Sequence, residues 1–346
     1  MPNKRTIFYS TPGLSSFSVK DIEILKESFE VKVFLFNPSK KIITPFFLFK
    51  QFLSIIFNFR THIFLTQFGG YHSLIPGIIG RLTGRKSYII TGGTDCVSFP
   101  RMAYGNFSKK LLGIVTCFSY RLSNKIFPVH ASLVQVQNDY DPEQAGPQGM
   151  LQFCRNLTTP YKVIHNGYDG QIWRKKAEKD PFSFITVAAG VVDYKRFVLK
   201  GIDLIFEIAP KFPHCKFTIV GCTKFNFQID IPTNIVLIDF ADQDQLIELF
   251  SRHSFYLQLS VSEGFPNAIC EAMLCECIPL GSNVGALPLI IGNSGLILGQ
   301  KDIKLLERIF QNAMSLPEEA AQLARERIIQ NFNINKRKAE LISALS

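Results

Sequence analysis

The densest run of chemically competent residues in this chain is Ser262-Glu263-Gly264-Phe265-Pro266-Asn267-Ala268-Ile269-Cys270-Glu271-Ala272-Met273. It follows a strand-like stretch, 255–259, and opens a helix-like one. Gly264 relaxes the turn, and Pro266 suits a first helical position. Backbone N–H groups at such a start attract anions. Glu263 and Glu271 stand eight residues apart, about two helical turns, so both carboxylates could reach one crevice and accept bonds from sugar hydroxyls. Taken alone, the pair reads more simply as two unrelated surface glutamates. A second cluster, residues 193–201, holds Lys195, Arg196 and Lys200, three cations able to neutralise a diphosphate. A third, Ile164-His165-Asn166-Gly167-Tyr168-Asp169, by itself signals only an Asn-Gly turn.

Other chemistries are excluded or weakened. Neither G-x-G-x-x-G nor G-x-x-x-x-G-K-[ST] occurs, which counts against a dinucleotide dehydrogenase and a P-loop NTPase. Two D-x-D triplets, Asp139-Tyr140-Asp141 and Asp242-Gln243-Asp244, could hold a metal. The first reads as a solvated polar loop and the second as a helix N-cap with its first turn. His72, His130 and His165 read as structural. Eight cysteines without a C-x-x-C pair read as buried reduced thiols of a cytoplasmic protein. No secretory signal precedes the strand-like Thr6-Ile7-Phe8-Tyr9.

The elements that must position these residues alternate. Short apolar runs at 5–10, 31–36, 61–66, 86–91 and 124–129, then at 183–189, 215–220, 234–239, 254–259, 277–281 and 294–298, are separated by helical patterns. Unalternating runs such as Phe217-Thr218-Ile219-Val220 suit strands covered on both faces. The expectation is an α/β chain of two doubly wound, Rossmann-like domains facing a central cleft, where a ligand would bind. At 346 residues and 47% hydrophobic content the chain can bury two cores. The first domain is placed at 1–170 and the second at 171–330. A C-terminal helix, 331–346, has the option of packing back on the first.

In order along the chain, Asn166-Gly167-x-Asp169, Lys200-Gly201-x-Asp203, Glu263-Gly264-Phe265 with Glu271-Ala272, and Gly285-Ala286-Leu287-Pro288 resemble the retaining family 4 glycosyltransferases of GT-B fold. Gly92-Gly93-Thr94-Asp95 and Pro100 with Tyr104-Gly105 resemble the same group more weakly, and the match covers most of residues 60–300. The resemblance implies a hexose-type transfer from a nucleotide-sugar, UDP favoured, to a glycan or lipid-linked glycan acceptor in bacterial surface polysaccharide synthesis. It implies no cofactor and no obligatory metal.

Residue by residue, Glu263 would hold donor hydroxyls, and the turn Gly264, Phe265, Pro266 and Asn267 would meet sugar or phosphate. Glu271 would bind the ribose and Lys200 the diphosphate. Gly13, Gly93 and Asp95 would lie on the acceptor side. The family often has Gly-Arg after the first strand of its second domain. Here Gly190 precedes Val191, so Arg196 or Lys195 must supply that cation. A frequent histidine before Gly-x-Asp is replaced by Gly92. A donor phosphate oxygen is the expected proton acceptor. The rival readings are another sugar-nucleotide enzyme of this fold, such as an epimerase, or a membrane-attached scaffold without turnover.

Charge adds a partner. Residues 1–172 carry 19 Lys and Arg against 9 Asp and Glu, whereas 173–346 carry 19 of each, so the whole net charge of +10 lies in the first half. Without a zinc finger, an RRM-like signature or a dense basic run, nucleic acid is set aside in favour of an anionic membrane surface. The Phe-rich segment 42–59 would lie in that interface, with Lys50, Ser54 and Asn58 as a narrow polar stripe. Burial between sheet and neighbouring helices is its competitor. The protein is thus expected at the inner face of the cell membrane, as a peripheral protein.

Overall fold

The structure, a computed structural model, describes residues 4–38, 41–317 and 319–346. The N-terminal Met1–Asn3, on which the reading of no secretory signal partly rests, lies outside them. The chain divides into two compact units. The first comprises residues up to Gln137, Pro147–Asn166 and Asn335–Ser346, and the second Asn138–Gly146 and Gly167–Ile334.

In the first unit, β1 (Thr6–Thr11), β2 (Glu30–Leu35), β3 (Thr61–Gln67), β4 (Lys86–Thr91) and β5 (Lys125–Pro128) form a sheet of order β2-β1-β3-β4-β5. Every pairing is parallel. Right-handed crossovers put α2 (Thr44–Phe57), α3 (Tyr71–Thr83) and α4 (Lys110–Leu122) in one layer, with α1 (Ser16–Ser28) on the other face. Phe8, Phe34, Phe36 and Phe64 make a buried hydrophobic cluster with Ile55 of α2. The four-residue α5 (Met150–Phe153) follows the short strands β6 (Val136–Asn138) and β7 (Gly146–Gln148).

The helix α2 corrects the expected polar stripe. Gln51, read as an interruption, is buried and donates to Ser10 Oγ at 2.8 Å and to the His72 carbonyl at 2.9 Å. Ile55 is the apolar anchor, and Phe46, Phe49 and Phe57 point outward. The segment is therefore an outer helix with one face in the core.

The second unit holds β8 (Asp180–Val187), β9 (Lys216–Val220), β10 (Ile235–Ile238), β11 (His253–Gln258), β12 (Ile278–Ser282) and β13 (Leu296–Leu298). Their order is β10-β9-β8-β11-β12-β13, all parallel, the doubly wound order with a reversal between β8 and β11. Phe184 of β8 stacks among Phe217, Phe255 and Phe310 at 4.6–5.2 Å between centroids. The connecting helices are α6 (Tyr194–Leu199), α7 (Ile202–Ile208), α8 (Gln243–Arg252), α9 (Asn267–Leu274), α10 (Leu287–Ile291), α11 (Ile303–Ala313) and α12 (Glu319–Asn331).

Three local expectations change. Residues 138–146 join the second unit because Asn138 Nδ2 donates to the Val261 carbonyl at 3.0 Å and Lys301 N–H donates to the Tyr140 carbonyl at 2.7 Å. Asp141, read as solvated, is buried with Lys301 Nζ at 3.8 Å, while Asp242 caps α8 as expected. Cys117 and Cys154, read as thiols, form a disulfide with Cα atoms 5.3 Å apart, because α4 and α5 bring together residues 37 apart. The other six cysteines are free and buried.

The last helix, α13 (Ile334–Leu345), packs within the first unit. Its buried Arg337 clasps Asp21 of α1 through two bonds of 2.6 and 2.7 Å and donates to the His165 carbonyl at 2.9 Å. Arg5 in turn donates to the Ser346 carbonyl at 2.8 Å.

Candidate functional site

In the second unit, Lys200 lies within the first crossover after β8, between α6 and α7, and Glu263 follows β11. These strands are neighbours at the reversal of strand order, where a crevice opens at the carboxyl ends of a doubly wound sheet. Topology thus brings together residues 63 apart: Lys200 Nζ lies 2.8 Å from Glu263 Oε1. Gln258 Nε2 donates to the same oxygen at 3.0 Å. Gln258 is itself oriented by Tyr256, whose hydroxyl donates to Gln258 Oε1 at 3.2 Å and accepts from the Val187 N–H at 3.3 Å. Both donors converge on Oε1, and Oε2 accepts none among the described residues. Burial pushes the Tyr256 hydroxyl pKa up, with the negative charges of Glu263 and Glu271 adding to it. It therefore stays protonated, as a donor.

Two glycines allow this approach. Gly201, at φ +70°, brings its backbone so close to β11's exit that a Cβ would stand 2.2 Å from the Leu259 carbonyl oxygen. Val261 N–H then donates to the Leu199 carbonyl at 2.9 Å, fixing the Lys200 turn. Gly285, at φ +54°, folds over the glutamate turn, where a Cβ would stand 2.0 Å from the Glu263 carbonyl oxygen. Ala286 N–H donates to the Gly264 carbonyl at 3.1 Å.

The rest of the expected set is distributed unevenly. Glu271 is buried on α9. The Phe265 ring is buried against Tyr168 and Phe332, so only its backbone can face a ligand. Pro266 is the residue before α9 rather than its first, and it has no N–H to offer. The Tyr168 hydroxyl donates to Asn267 Oδ1 at 2.7 Å, which uses that side chain to hold the turn. Lys195 and Arg196 are exposed on α6, and Arg196 lies 4.0 Å from its own cap, Asp193. The structure therefore brings Lys200, and not these two, to the glutamate. Asp203 turns away to Lys301, with 2.7 Å between charged atoms.

In the first unit, Asp95 is 1% exposed and its carboxylate is saturated. Gly92 and Gly93 N–H donate to Oδ1, each at 3.1 Å, while Gly69 N–H and the Tyr120 hydroxyl donate to Oδ2 at 2.8 and 3.1 Å. Desolvation pushes its pKa up and these donors oppose the rise. Asp95 thus shapes the loops after β3 and β4. It borders a cavity of about 350 Å³ lined by Pro12, Phe36, Phe68, Tyr71, His72 and Asn106, among others. Gly13 is open, with nothing within 4 Å of a Cβ.

Phe68 is a residue that sequence reasoning missed. It adopts φ +68°, and its ring covers Gly92 so closely that a Cβ there would stand 2.1 Å from it. No side chain fits at residue 92 while Phe68 stays in place. Phe-Gly-Gly after a strand was the available signal. His72 accompanies it: burial lowers its pKa to about 4, and Nε2 lies 2.6 Å from the Gln67 carbonyl, so it is a neutral structural donor. No group of three or more His, Cys, Asp or Glu able to hold a metal occurs among the described residues.

Residues 171–330 match the family described as glycosyl transferases group 1. The match lies within the second unit and spans less than half of the chain, and the fold of the chain is that of GT-B proteins. Over 83 residues, 24% of this chain and 10% of the relative, it is 29% identical to the serotype-specific mannosyltransferase WbdA of Escherichia coli. Over 183 residues it is 22% identical to a phosphatidylinositol N-acetylglucosaminyltransferase subunit of Arabidopsis thaliana, covering 48% of this chain and 40% of that one. The matches therefore span well under half of each relative's length. In structure it is similar to HepE of Anabaena in complex with UDP-glucose, with a TM-score of 0.73 and 12% identity, over 98% of this chain and 99% of that one.

Proposed function

We propose that the protein is a retaining glycosyltransferase of family 4. It moves a hexose-type sugar from a nucleotide-sugar, UDP-sugar first among them, to a glycan or lipid-linked glycan at the inner face of a bacterial membrane. The observation that carries this is the Lys200–Glu263 pair at the strand-order reversal of the second unit. A cation for a diphosphate and a carboxylate for hydroxyls stand 2.8 Å apart, and the carboxylate keeps Oε2 for a ligand. The UDP-glucose in the HepE structure supports the donor class. The names of the two relatives, a serotype-specific mannosyltransferase and a phosphatidylinositol-modifying transferase, support polysaccharide and lipid-linked acceptors.

In the proposed reaction, charge develops on the leaving diphosphate as the sugar bond breaks. Lys200 meets that charge, turning from Glu263 toward phosphate, while Glu263 and Glu271 hold hydroxyls of sugar and ribose. A donor phosphate oxygen takes the acceptor's proton. No metal enters this scheme.

The Phe68 ring over Gly92 favours a second reading, a member with reduced turnover, because the place of a frequent family side chain is filled. One experiment addresses both. A thermal-shift screen over UDP-, GDP- and ADP-sugars is expected to raise the melting temperature with one nucleotide class, since a ligand at 100 times its Kd stabilises by about 2.7 kcal/mol. Donor hydrolysis in the same samples then reports turnover. A shift without hydrolysis or transfer supports the reduced form, and no shift with any donor overturns the proposal.

A further inference from the structure

From residue 36 to residue 138 the sequence holds twelve Lys and Arg and a single acid, Asp95. That acid is buried and saturated within the fold. The remaining acids of the first unit, Asp21, Glu23, Glu27, Glu30 and Glu340, lie on α1, β2 and α13. The helix layer α2–α3–α4 therefore presents cations without carboxylates to balance them.

The same layer is greasy on its outside. On α2, Phe46, Phe49 and Phe57 are 58–78% exposed, and Phe59 just beyond it is 66% exposed. On α4, Leu111, Ile114 and Phe118 form a second exposed row at helical spacing. With Phe side chains of about 150–250 Å² each, the layer exposes several hundred Å² of apolar surface, more than a solvated face normally carries. Beside the α4 row opens a cavity of about 400 Å³, bordered by Phe107, Ile114 and Phe153 and by three cations, Lys110, Arg121 and Arg155. Its frame is rigid: Phe107 and Phe153 stack at 4.7 Å, Cys117 is bonded to Cys154, and Arg121 donates to the Arg155 carbonyl at 2.8 Å.

We infer that this layer docks on a bilayer of anionic phospholipid. The α4-edge cavity takes a lipid phosphate, while the α2 and α4 rows enter the acyl boundary. Cations beside an apolar row match the headgroup–acyl border of such a membrane. A nucleic acid would satisfy the charge and leave the phenylalanines in water. The inference deepens the membrane-surface part of the proposed function and uses no residue of the donor site, so its failure leaves the donor reading standing.

The test is vesicle flotation of the full chain. The wild type is expected to float with phosphatidylcholine vesicles containing phosphatidylglycerol, to stay behind with phosphatidylcholine alone, and to be released near 1 M salt, where the Debye length is about 3 Å. Lys110→Glu with Arg155→Glu is expected to weaken partition about 25-fold or more, from about fivefold for each cation lost. Leu111→Ser with Phe118→Ser should abolish binding at moderate salt. All four positions are exposed, and unchanged melting curves verify that the variants fold. Equal recovery with neutral and anionic vesicles, no recovery with either, or wild-type flotation of both variants overturns the proposal. Retention on an oligonucleotide without flotation overturns it in favour of a nucleic-acid surface.

Discussion

Lys200 and Glu263 pair at 2.8 Å, so in the proposed reaction a donor phosphate competes with Glu263 for the lysine. The lysine side chain is 30% exposed and the glutamate 12%, so the ammonium is the more solvent-facing member of the pair. Lys200→Ala is expected to lower transfer by about 100-fold or more, as for other single groups that meet developing charge, and Glu271→Ala to abolish most transfer through loss of the ribose contact. Steady-state kinetics alongside a cooperative melting curve checks this, and near-wild-type turnover in both variants would refute the assignment. In the same assay Arg196→Ala should lose more than Lys195→Ala, because a guanidinium grips phosphate at two points. The reverse order would assign the missing family cation to Lys195.

At the scale of elements, the site is held by loops closing on one another rather than by helices alone. Gly285 presses its backbone onto the Glu263 carbonyl, and its φ of +54° disfavours any side chain. Gly285→Ala is therefore expected to destabilise by about 1–3 kcal/mol through backbone strain and to weaken donor binding with it. Gly13→Ala, in open space, serves as the contrast and should melt like the wild type. Urea unfolding of the two variants measures the difference. Equal midpoints would show that the Gly285 loop relaxes at little cost.

For the whole molecule, stability should depend on pH through imidazoles that stay neutral in the fold. Burial lowers the pKa of His72 to about 4, and burial with the neighbouring His165 lowers that of His130 to about 4. The unfolded chain protonates both near 6.5, so between those values it binds more protons than the native state. Their contribution is complete above pH 6.5 and is lost as pH falls toward 4. Denaturation midpoints are expected to drop across that window, and His72→Gln to flatten part of the slope. An unchanged slope in this variant would mean that His72 does not drive it.

Much of this was legible in the sequence, for reasons that are local. Runs such as Phe217-Thr218-Ile219-Val220 suit strands covered on both faces, and eleven short apolar runs, with helical stretches between, imply two doubly wound sheets. The Glu263–Glu271 run was visible as a turn followed by a helix start, and Lys200-Gly201 and Gly285 through the family resemblance that their order along the chain carries. What depended on distant neighbours was not. The saturation of Asp95 needs Gly69 and Tyr120, the ring over Gly92 belongs to Phe68, and the inward turn of Gln51 needs Ser10 and His72. The Cys117–Cys154 bond and the return of Arg337 to Asp21, across 37 and 316 residues, carry no spacing signal at all. Periodicity and turn chemistry are properties of neighbouring residues, and so the sequence determined the elements and the candidate residues. Which groups face a ligand and which face one another was decided by packing, because that depends on the strand order that makes distant residues neighbours.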